Sequence, residues 1–531
     1  MTRKLKFWGW GYEGDGLDAA EQIKLFEIFG RTLGFALAEP AAVPTLDDLE
    51  LTPPRLDAPA SLAGICSTAP YDRALHTYGQ SFPDSARTFA RDFRVAPDIV
   101  AYPETEEDVA SVLNWAGERD AAVIPYGGGT SVVGGVEATV GKQYTGAVSL
   151  DLRKLDKVLE IDPVSRAARI QGGATGPGLE AQLKPSGMTL RHFPQSFELA
   201  TLGGMLATRS GGHFATLYTH IDDLTESIRM ITPSGPMQSL RLPGSGAGPS
   251  PDRFMLGGEG AFGVITEAWM RLQGRPTFKG TASITFRDFF KAAQAVRAIA
   301  QAGLYPANVR IVDGVELMAN GVNDGSYTLL VVSFESADHP VDTWMDRALE
   351  CCADHGGSFE PDWQGNPQAH LEGPAGAWRT AFIRMPYNRE LLTPRGIISD
   401  TFETSTTWDR FEEFYHTIKD ATAKAIEEVT GKPGAVSCRF SHAYPDGPAP
   451  YFGFHAEGRP GDLLAQWQDL KDAASEAVIA AGGTITHHHA VGRDHMKWYR
   501  RQRPELFGAT LAAAKRTLDP RGIMNPGVVV P

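Results

Sequence analysis

Cysteine is scarce in this sequence, with 4 among 531 residues. Two of the four, Cys351 and Cys352, are adjacent, and neither a CxxC pair nor a zinc-type spacing occurs, which excludes a disulfide framework and indicates a reducing compartment. Long apolar runs are also missing. No window approaches the roughly 18 apolar residues of a membrane span, and the basic start MTRKLKF lacks the apolar core of a secretory signal. We therefore expect a soluble, cytoplasmic protein.

Positive charge is also in short supply. The chain has 50 Lys and Arg against 64 Asp and Glu, a net charge of −14, and no basic run offers a face for the phosphates of a nucleic acid. We therefore expect no nucleic-acid partner. A hydrophobic content of 42% with 9% aromatics excludes global disorder. The length allows roughly three structural units at about 150 residues each.

Local signals divide the chain into an arm and two domains of an α+β fold. Residues 1–95 contain short helical pieces, loops and the aromatic start FWGWGY, which predict an N-terminal arm. In residues 96–275 short helices alternate with β-branched runs, and a capping box from Thr105 to Asp108 predicts a helix that ends near Asp120. The second domain, residues 276–510, has a β-α-β-β-α pattern over residues 280–357, which predicts a split β-α-β unit.

A glycine run follows the predicted strand AAVIPY. Residues 125–131 read PYGGGTS, and consecutive glycines expose backbone N–H groups to an anion while two hydroxyls add donors. A pyrophosphate would fit, although the run is neither a Walker A loop nor GxGxxG, so a Rossmann-type dinucleotide site is excluded. A glycine-rich turn without a ligand explains such a run equally well when it is taken alone.

Three further segments favour a ligand-binding loop over a glycine-rich turn without a ligand. PQSFELAT (residues 194–201), TRSGG (208–212) and EGAFGVI (259–265) are small, hydroxylated or glycine-rich. In this order and spacing, they and the glycine run resemble the FAD-binding domain of the vanillyl-alcohol oxidase superfamily, also called the PCMH-type domain. FWGWGY, RVAPDIVAYPETEEDV, IPYGGGTSV, SFELATLGG, DTFETSTTWDR and HHHAVG further resemble the alkyldihydroxyacetonephosphate synthase family. In HHHAVG an alanine stands where that family usually has glycine.

The resemblance implies a two-subdomain FAD-binding fold with a helical arm, a split β-α-β cap domain over 276–510, and a return of residues 511–531 to the FAD domain. It implies that FAD binds noncovalently, because GGGTSVVGG offers no His or Cys for a covalent link. The cofactor-binding residues that it implies are Pro125, Tyr126, Gly127, Gly128, Gly129, Thr130, Ser131, Gln195, Ser196, Phe197, Glu198, Leu199, Ala200, Thr201, Thr208, Arg209, Ser210, Gly211, Glu259, Gly260, Ala261, Phe262, Gly263, Val264 and Ile265.

Candidate catalytic residues lie in two segments near the C-terminus. In PAPYFGFHA, strand alternation places Tyr451, Gly453 and His455 on one face. The resemblance implies that Tyr451 is the catalytic acid/base, a role that needs a nearby cation to lower its pKa. Without the resemblance, a half-buried tyrosine in a sheet is the better interpretation.

The triplet HHH and three further residues complete the candidate site. In an extended segment at most two of His487, His488 and His489 can face one ligand, and no additional metal ligand stands at a suitable spacing, so we predict no metal. The resemblance implies that the triplet acts in proton transfer or substrate orientation, for which a near-neutral imidazole pKa is suitable. It also implies an active-site role for His192 and substrate binding by Arg389 and Arg310, residues that would otherwise be a loop histidine and salt-bridge arginines.

The implied activity is exchange of the acyl group of acyl-dihydroxyacetone phosphate for a fatty alcohol through a flavin N5 adduct, a step of ether-lipid biosynthesis. The resemblance therefore implies an FAD-dependent transferase or oxidoreductase of the vanillyl-alcohol oxidase superfamily, which is an alkylglycerone-phosphate synthase-like flavoprotein. We expect a small-molecule or lipid-phosphate substrate, a homodimer and peripheral membrane contact. The alternative is an FAD-dependent 2-hydroxy-acid dehydrogenase of the D-lactate or glycolate type, which shares the ending GIMNPG but tends to have GHxGDGNxH and Glu-His-Gly segments.

Overall fold

The structure, a computed structural model, describes residues 3–360 and 373–530. Its helices are α1 (Ala19–Glu27), α2 (Pro70–Leu75), α3 (Phe82–Phe89), α4 (Glu106–Glu118), α5 (Gly176–Leu183), α6 (Leu202–Thr208), α7 (Pro251–Met255), α8 (Phe289–Gln301), α9 (Gly314–Ala319), α10 (Asp342–Asp354), α11 (Gly373–Arg384), α12 (Arg389–Leu392), α13 (Phe411–Thr430), α14 (Leu463–Ala480), α15 (Met496–Gln502) and α16 (Glu505–Leu518). Within the described ranges, none of these helices has both the length and the apolarity to cross a bilayer.

The strands form four sheets. They are β1 (Cys66–Ser67), β2 (Ile99–Ala101), β3 (Ala122–Tyr126), β4 (Ala147–Asp151), β5 (Val158–Asp162), β6 (Ala167–Gln171), β7 (Met188–Thr189), β8 (Thr225–Thr232), β9 (Gly235–Gln238), β10 (Val264–Arg271), β11 (Gln273–Gly274), β12 (Phe278–Phe286), β13 (Asn308–Val312), β14 (Thr328–Ser336), β15 (Ile397–Glu403), β16 (Ala435–Ala443) and β17 (Pro448–Glu457). The sheet orders are β1-β2-β4-β3, β5-β6-β10-β8-β9, β11-β7 and β12-β14-β13-β16-β17-β15.

The first domain joins a small sheet, in which β2, β4 and β3 are parallel, to the antiparallel five-stranded sheet. The predicted helix is confirmed as α4. The Thr105 hydroxyl and the Asp108 carboxylate each accept a backbone N–H of the other residue, which satisfies donors that the first turn leaves unpaired. The glycine run begins where β3 ends, so the strand fixes the start of the loop.

The second domain is a six-stranded antiparallel sheet with α8, α10, α13 and α14 packed on one face through a shared apolar core. The predicted β-α-β-β-α pattern is confirmed as β12, α8, β13, β14 and α10, with one addition. The short helix α9, capped by the Asp313 side chain, lies between β13 and β14, and its six residues are too few to give a periodic signal. The opposite face of this sheet carries the polar side chains described below.

Both ends of the chain contact distant elements. In the arm, α1 and the π-helical turn Ile28–Thr32 pack against Leu392 and Ile397, and the Lys6 ammonium lies 2.9 Å from the buried Glu390 carboxylate. At the other end, Val123 of β3 forms a parallel bridge with Met524. The arm therefore reaches the second domain, and the C-terminal stretch lies against the first.

Candidate active site

A cavity of about 340 Å³ lies between the two domains. The first domain lines it with Thr208 at the end of α6 and with loop residues Gly127, Gly128, Gly129, Thr130, Ser131, Gln195, Ser196, Ala200, Thr201, Ser210 and Gly211. The second domain lines it with strand residues Arg310, Ser399, Thr401, Ser437, Arg439, Ser441, His442, Tyr451, Gly453 and His455. His488 and His489 complete the wall beside Tyr451.

The glycine loop is packed so closely that side chains are excluded. A Cβ on Gly128 would overlap the carbonyl oxygen of Leu199, and a Cβ on Gly127 would overlap the Thr201 hydroxyl. Gly129 has φ +65°, a conformation that favours glycine. The loop thus brings bare backbone and the hydroxyls of Thr130 and Ser131 to the cavity, which fits the close approach of a pyrophosphate.

Some of the predicted cofactor residues lie behind this wall. Those that do not line the cavity are Pro125, Tyr126, Phe197, Glu198, Leu199, Arg209, Glu259, Gly260, Ala261, Phe262, Gly263, Val264 and Ile265. The Arg209 guanidinium instead pairs with Asp222, at 2.7 Å. The Glu259 carboxylate accepts the backbone N–H groups of Val491 and Gly492, each at 2.8 Å.

Tyr451 lies on β17 with the expected alternation, because Gly453 and His455 also line the cavity while Phe452 and Phe454 are buried in the apolar core. Its hydroxyl oxygen is 3.0 Å from that of Thr401. The Arg439 guanidinium lies 3.8 Å from the Tyr451 ring centroid and opposes the rise in pKa, but burial is the larger effect and raises the pKa of Tyr451. The cation is therefore present, yet the phenol stays protonated at neutral pH.

Two of the three histidines face the cavity, as expected, but they are the adjacent pair His488 and His489 and not the alternating pair His487 and His489, because the segment is not a strand. His488 and His489 line the cavity, with ring centroids 6.0 and 5.3 Å from that of Tyr451, whereas His487 turns away and its Nε2 lies 2.8 Å from the Tyr444 hydroxyl. Burial lowers the pKa of His488 to about 3 and that of His489 well below its usual value. The expectation of near-neutral pKa values is therefore wrong, because these imidazoles are largely removed from solvent and lie near other histidines and Arg439.

Glu403, at the end of β15, is a site residue that the sequence did not reveal. Its fully buried carboxylate accepts the backbone N–H groups of His487, His488 and His489, and also the Thr486 hydroxyl at 2.7 Å. Glu403 and His487 lie 84 positions apart in sequence, so no spacing rule connects them. The motif DTFETSTTWDR, which contains Glu403, was the available signal.

His192 lies behind the cavity wall. Its Nε2 is 2.8 Å from the Ser210 hydroxyl oxygen, and a Cβ on Gly212 would come within 2.7 Å of its Nδ1. Burial lowers the pKa of His192 to about 3. The side chain can therefore orient Ser210, which does line the cavity, as a neutral imidazole.

The two predicted substrate arginines differ in how their charge is balanced. The Arg389 guanidinium donates to the Gln80 carbonyl and lies 3.3 Å from Asp400. Arg310 is buried on β13, donates to the His213 carbonyl oxygen at 3.3 Å, and its Nε has no partner. Among the described residues no carboxylate forms an ion pair with Arg310, and burial together with nearby Arg439 lowers its pKa to about 10. A buried cation of this kind needs an anion from outside the protein.

His442, which the sequence analysis did not select, also faces this cavity with an unpartnered Nε2. Ring nitrogens of His442, His487 and His488 lie within 4.8 Å of one another, a spacing that could hold a metal ion. The guanidiniums of Arg310, Arg439 and Arg209 lower the pKa values of these rings and oppose a cation, although Arg439 and Arg209 are ion-paired and the Glu403 carboxylate lies 3.7 Å from Nδ1 of His488. The predicted lack of a metal stays a prediction.

Family models match two stretches of the chain. The FAD binding domain matches residues 97–241, and the C-terminal domain of FAD linked oxidases matches residues 275–529. Together these stretches contain the glycine loop and the strands that carry Arg310 and Tyr451.

Individual proteins match over most of the chain. Alkyldihydroxyacetonephosphate synthase of Caenorhabditis elegans is 30% identical over 450 residues, 80% of this chain and 75% of that protein. The Dictyostelium discoideum enzyme of that name is 28% identical over 486 residues, 86% of this chain and 77% of that protein. A solved alkyldihydroxyacetonephosphate synthase structure superposes with a TM-score of 0.79 at 25% identity and covers 98% of both chains.

Proposed function

Because the chain belongs to the alkyldihydroxyacetonephosphate synthase family, we propose that it is an FAD-dependent enzyme that exchanges the acyl group of acyl-dihydroxyacetone phosphate for a fatty alcohol. The reaction replaces an ester by an ether at C1 of the substrate, as ether-lipid synthesis requires. The fatty acid leaves as a carboxylate, and the alcohol supplies the new oxygen and its alkyl chain.

The observation that carries this proposal is that Arg310, whose guanidinium has no ion-pair partner among the described residues, lines the same cavity as Tyr451. An anionic group of the substrate would supply the missing negative charge, and a guanidinium suits phosphate because it donates parallel hydrogen bonds. We assign the phosphate to Arg310 in preference to Arg389, since Asp400 and the Gln80 carbonyl already occupy the Arg389 guanidinium.

The cofactor fits the loop wall. Backbone groups of residues 127–129, the hydroxyls of Thr130 and Ser131, and the Gln195 amide would hold FAD. When bound, FAD supplies an electron-accepting ring that lets the substrate carbon exchange its oxygen substituent without net oxidation.

Tyr451 is the group that we propose moves the C1 proton. Its own pKa is raised by burial, so the phenol needs help to release its proton, and the imidazoles of His488 and His489 beside its ring have such low pKa values that they suit hydrogen-bond acceptance rather than full proton uptake. Thr401 fixes the hydroxyl, and the Arg439 charge over the ring stabilises a developing phenolate. His488 and His489 are then placed to assist the leaving carboxylate and the entering alcohol.

Anaerobic mixing tests this function. Acyl-dihydroxyacetone phosphate is expected to perturb the flavin absorbance of the purified holoprotein, and a fatty alcohol is expected to restore it. D-Lactate and glycolate are expected to leave the spectrum unchanged. Bleaching by either hydroxy acid, without a response to the acyl ester, would instead establish the 2-hydroxy-acid dehydrogenase, which has less support because Tyr451 and HHHAVG replace its usual segments.

A further inference from the structure

The segment from His487 to Gly492, here called the histidine segment, has its backbone held by two buried carboxylates from different domains. Glu403, on the sheet of the second domain, accepts the N–H groups of His487, His488 and His489. Glu259, in the first domain, accepts those of Val491 and Gly492, both at 2.8 Å. Five of the six backbone N–H groups in the segment therefore point at a carboxylate.

Ala490 makes this division geometrically feasible. Its φ is +74°, in the left-handed region that alanine rarely adopts, and it lies between the group of amides that faces Glu403 and the group that faces Glu259. The change in chain direction at Ala490 thus aims the two groups at different domains. This is the position where the resembled family usually has glycine, which adopts that conformation without strain.

Neither carboxylate has an ordinary ionic partner among the described residues. The nearest candidates for Glu403 are Nδ1 of His488 at 3.7 Å and Nδ1 of His489 at 3.6 Å, and burial keeps both rings neutral. The backbone amides are therefore the main compensation for two buried charges, and burial raises the pKa of each carboxyl to about 7 against the opposing effect of those amides. Apolar side chains often stabilise a protein interior at least as well as buried charged groups do. A contribution to folding stability alone therefore does not account for these two carboxylates.

We propose that Glu403 and Glu259 are positioning residues, which together fix His488 and His489 against Tyr451 on one side and against the FAD-binding domain on the other. This inference rests on the proposed function, since it assumes that the two histidines act in turnover. Glu403 sets the ring positions directly, because it binds the amides of the histidines themselves and its carboxylate faces both Nδ1 atoms. Glu259 anchors the other end of the segment to the loop EGAFG, so the segment is held at both ends.

The test compares Glu403→Gln and Glu259→Gln by hydrogen exchange and by turnover. An amide in place of a carboxylate turns one acceptor into a donor that opposes the backbone N–H groups. We expect faster exchange at residues 487–489 in Glu403→Gln and at residues 491–492 in Glu259→Gln. With FAD content unchanged, kcat should fall about 10–100-fold in each variant, as for partners that orient catalytic groups, and KM should stay near the wild-type value.

The matched control is Asp98→Asn. Asp98 is also buried and accepts two backbone N–H groups, those of Arg55 and Ala147, each at 2.7 Å, but unlike the two glutamates it also pairs with the Arg55 guanidinium at 2.7 Å, and it does not line the cavity. This variant should lower stability without changing kcat or exchange in the histidine segment. If Glu403→Gln fails to fold, Thr486→Val removes one hydrogen bond to Glu403 and should lower kcat by a smaller factor.

The measurements distinguish failure of the positioning role from failure of the proposed function. Wild-type kcat in a folded Glu403→Gln or Thr486→Val protein overturns the positioning role, whether or not exchange changes. Unchanged exchange in both glutamine variants overturns the clamp itself. If the wild type does not turn over acyl-dihydroxyacetone phosphate, the proposed function fails, while the exchange data still decide whether the two carboxylates hold the segment.

Discussion

The two walls of the cavity present their polar groups in different ways. The wall from the first domain consists of loops and part of α6, and its polar groups are mainly backbone amides, hydroxyls and the Gln195 side chain, with His213 as an ionisable member. The wall from the second domain consists mainly of strands, with some helical residues, and it carries Arg310, Arg439 and Tyr451, with His488 at its edge. The first wall therefore offers mainly backbone and hydroxyl groups, whereas the second carries most of the ionisable side chains.

This difference separates binding from chemistry. The packing at Gly128 admits no side chain, so the loop wall presents bare backbone to its ligand. We therefore expect this wall to select its ligand by shape. The strand wall acts through protonation states that burial sets, as for Tyr451 and His488. Damage to the loop wall should therefore remove the cofactor, whereas damage to the strand wall should leave the cofactor in place and slow the reaction.

The largest effect is expected from Gly128→Ala. The new Cβ would overlap the Leu199 carbonyl oxygen, so the loop must move away from its position. The purified variant should be colourless, without the flavin absorbance of the wild type, and inactive. Gly64→Ala is the control, since no atom lies within 4 Å of the added Cβ, and it should retain flavin and activity. A yellow Gly128→Ala protein would show that the cradle is not where FAD binds.

Tyr451→Phe should leave flavin binding intact and reduce kcat by about 10²–10⁴-fold, the usual contribution of a general acid/base. The substitution removes the hydroxyl and keeps the ring on which Arg439 stacks. Flavin absorbance and steady-state turnover are the measurements. Turnover at the wild-type rate would remove Tyr451 from the mechanism.

Arg310→Met should act on substrate binding. Loss of charged hydrogen bonds to the phosphate costs about 1.5–3 kcal/mol, which corresponds to a KM increase of about 10–150-fold. Arg389→Met should change KM less, because Asp400 and the Gln80 carbonyl already bind that guanidinium. The reverse order of the two KM values would return the phosphate to Arg389.

The smallest expected effect is on the dependence of kcat on pH. The histidines that act beside Tyr451 have pKa values far below neutrality, so kcat should show no histidine step near pH 6.5. Glu403, which faces Thr486, Tyr451 and the two histidines, has a pKa of about 7, so protonation as the pH falls through 7 weakens its hold on the segment and lowers kcat. This acid limb should flatten in Glu403→Gln. An unchanged limb would assign it to another group, such as Glu259, whose pKa is also raised to about 7, or the substrate phosphate.

The loop wall was largely predictable from sequence because each of its segments is a short contiguous stretch. Residues 127–131 work through local backbone freedom, and each neighbouring segment is a short motif whose chemistry is visible in its letters. The strand alternation around Tyr451 was predictable for the same reason, because a period of two needs only local sequence.

The strand wall was less predictable because it depends on long-range contacts and burial. No local pattern joins Glu403 to His487, and Glu259, expected to contact the cofactor, faces Val491 and Gly492 instead. The pKa values of the histidines depend on how much water the fold excludes, which spacing cannot show. The predicted homodimer, membrane contact, cytoplasmic location and domain boundaries stay predictions.

The most direct test of the central claim is turnover without an electron acceptor. Holoprotein is incubated under strict anaerobiosis with acyl-dihydroxyacetone phosphate and a fatty alcohol, both in large excess, and the ether product and released fatty acid are counted against the flavin. Acyl-for-alkyl exchange without net oxidation predicts many equal equivalents of both products per flavin. Product formation that stops after one equivalent, or that starts only when oxygen or a quinone is admitted, would contradict it.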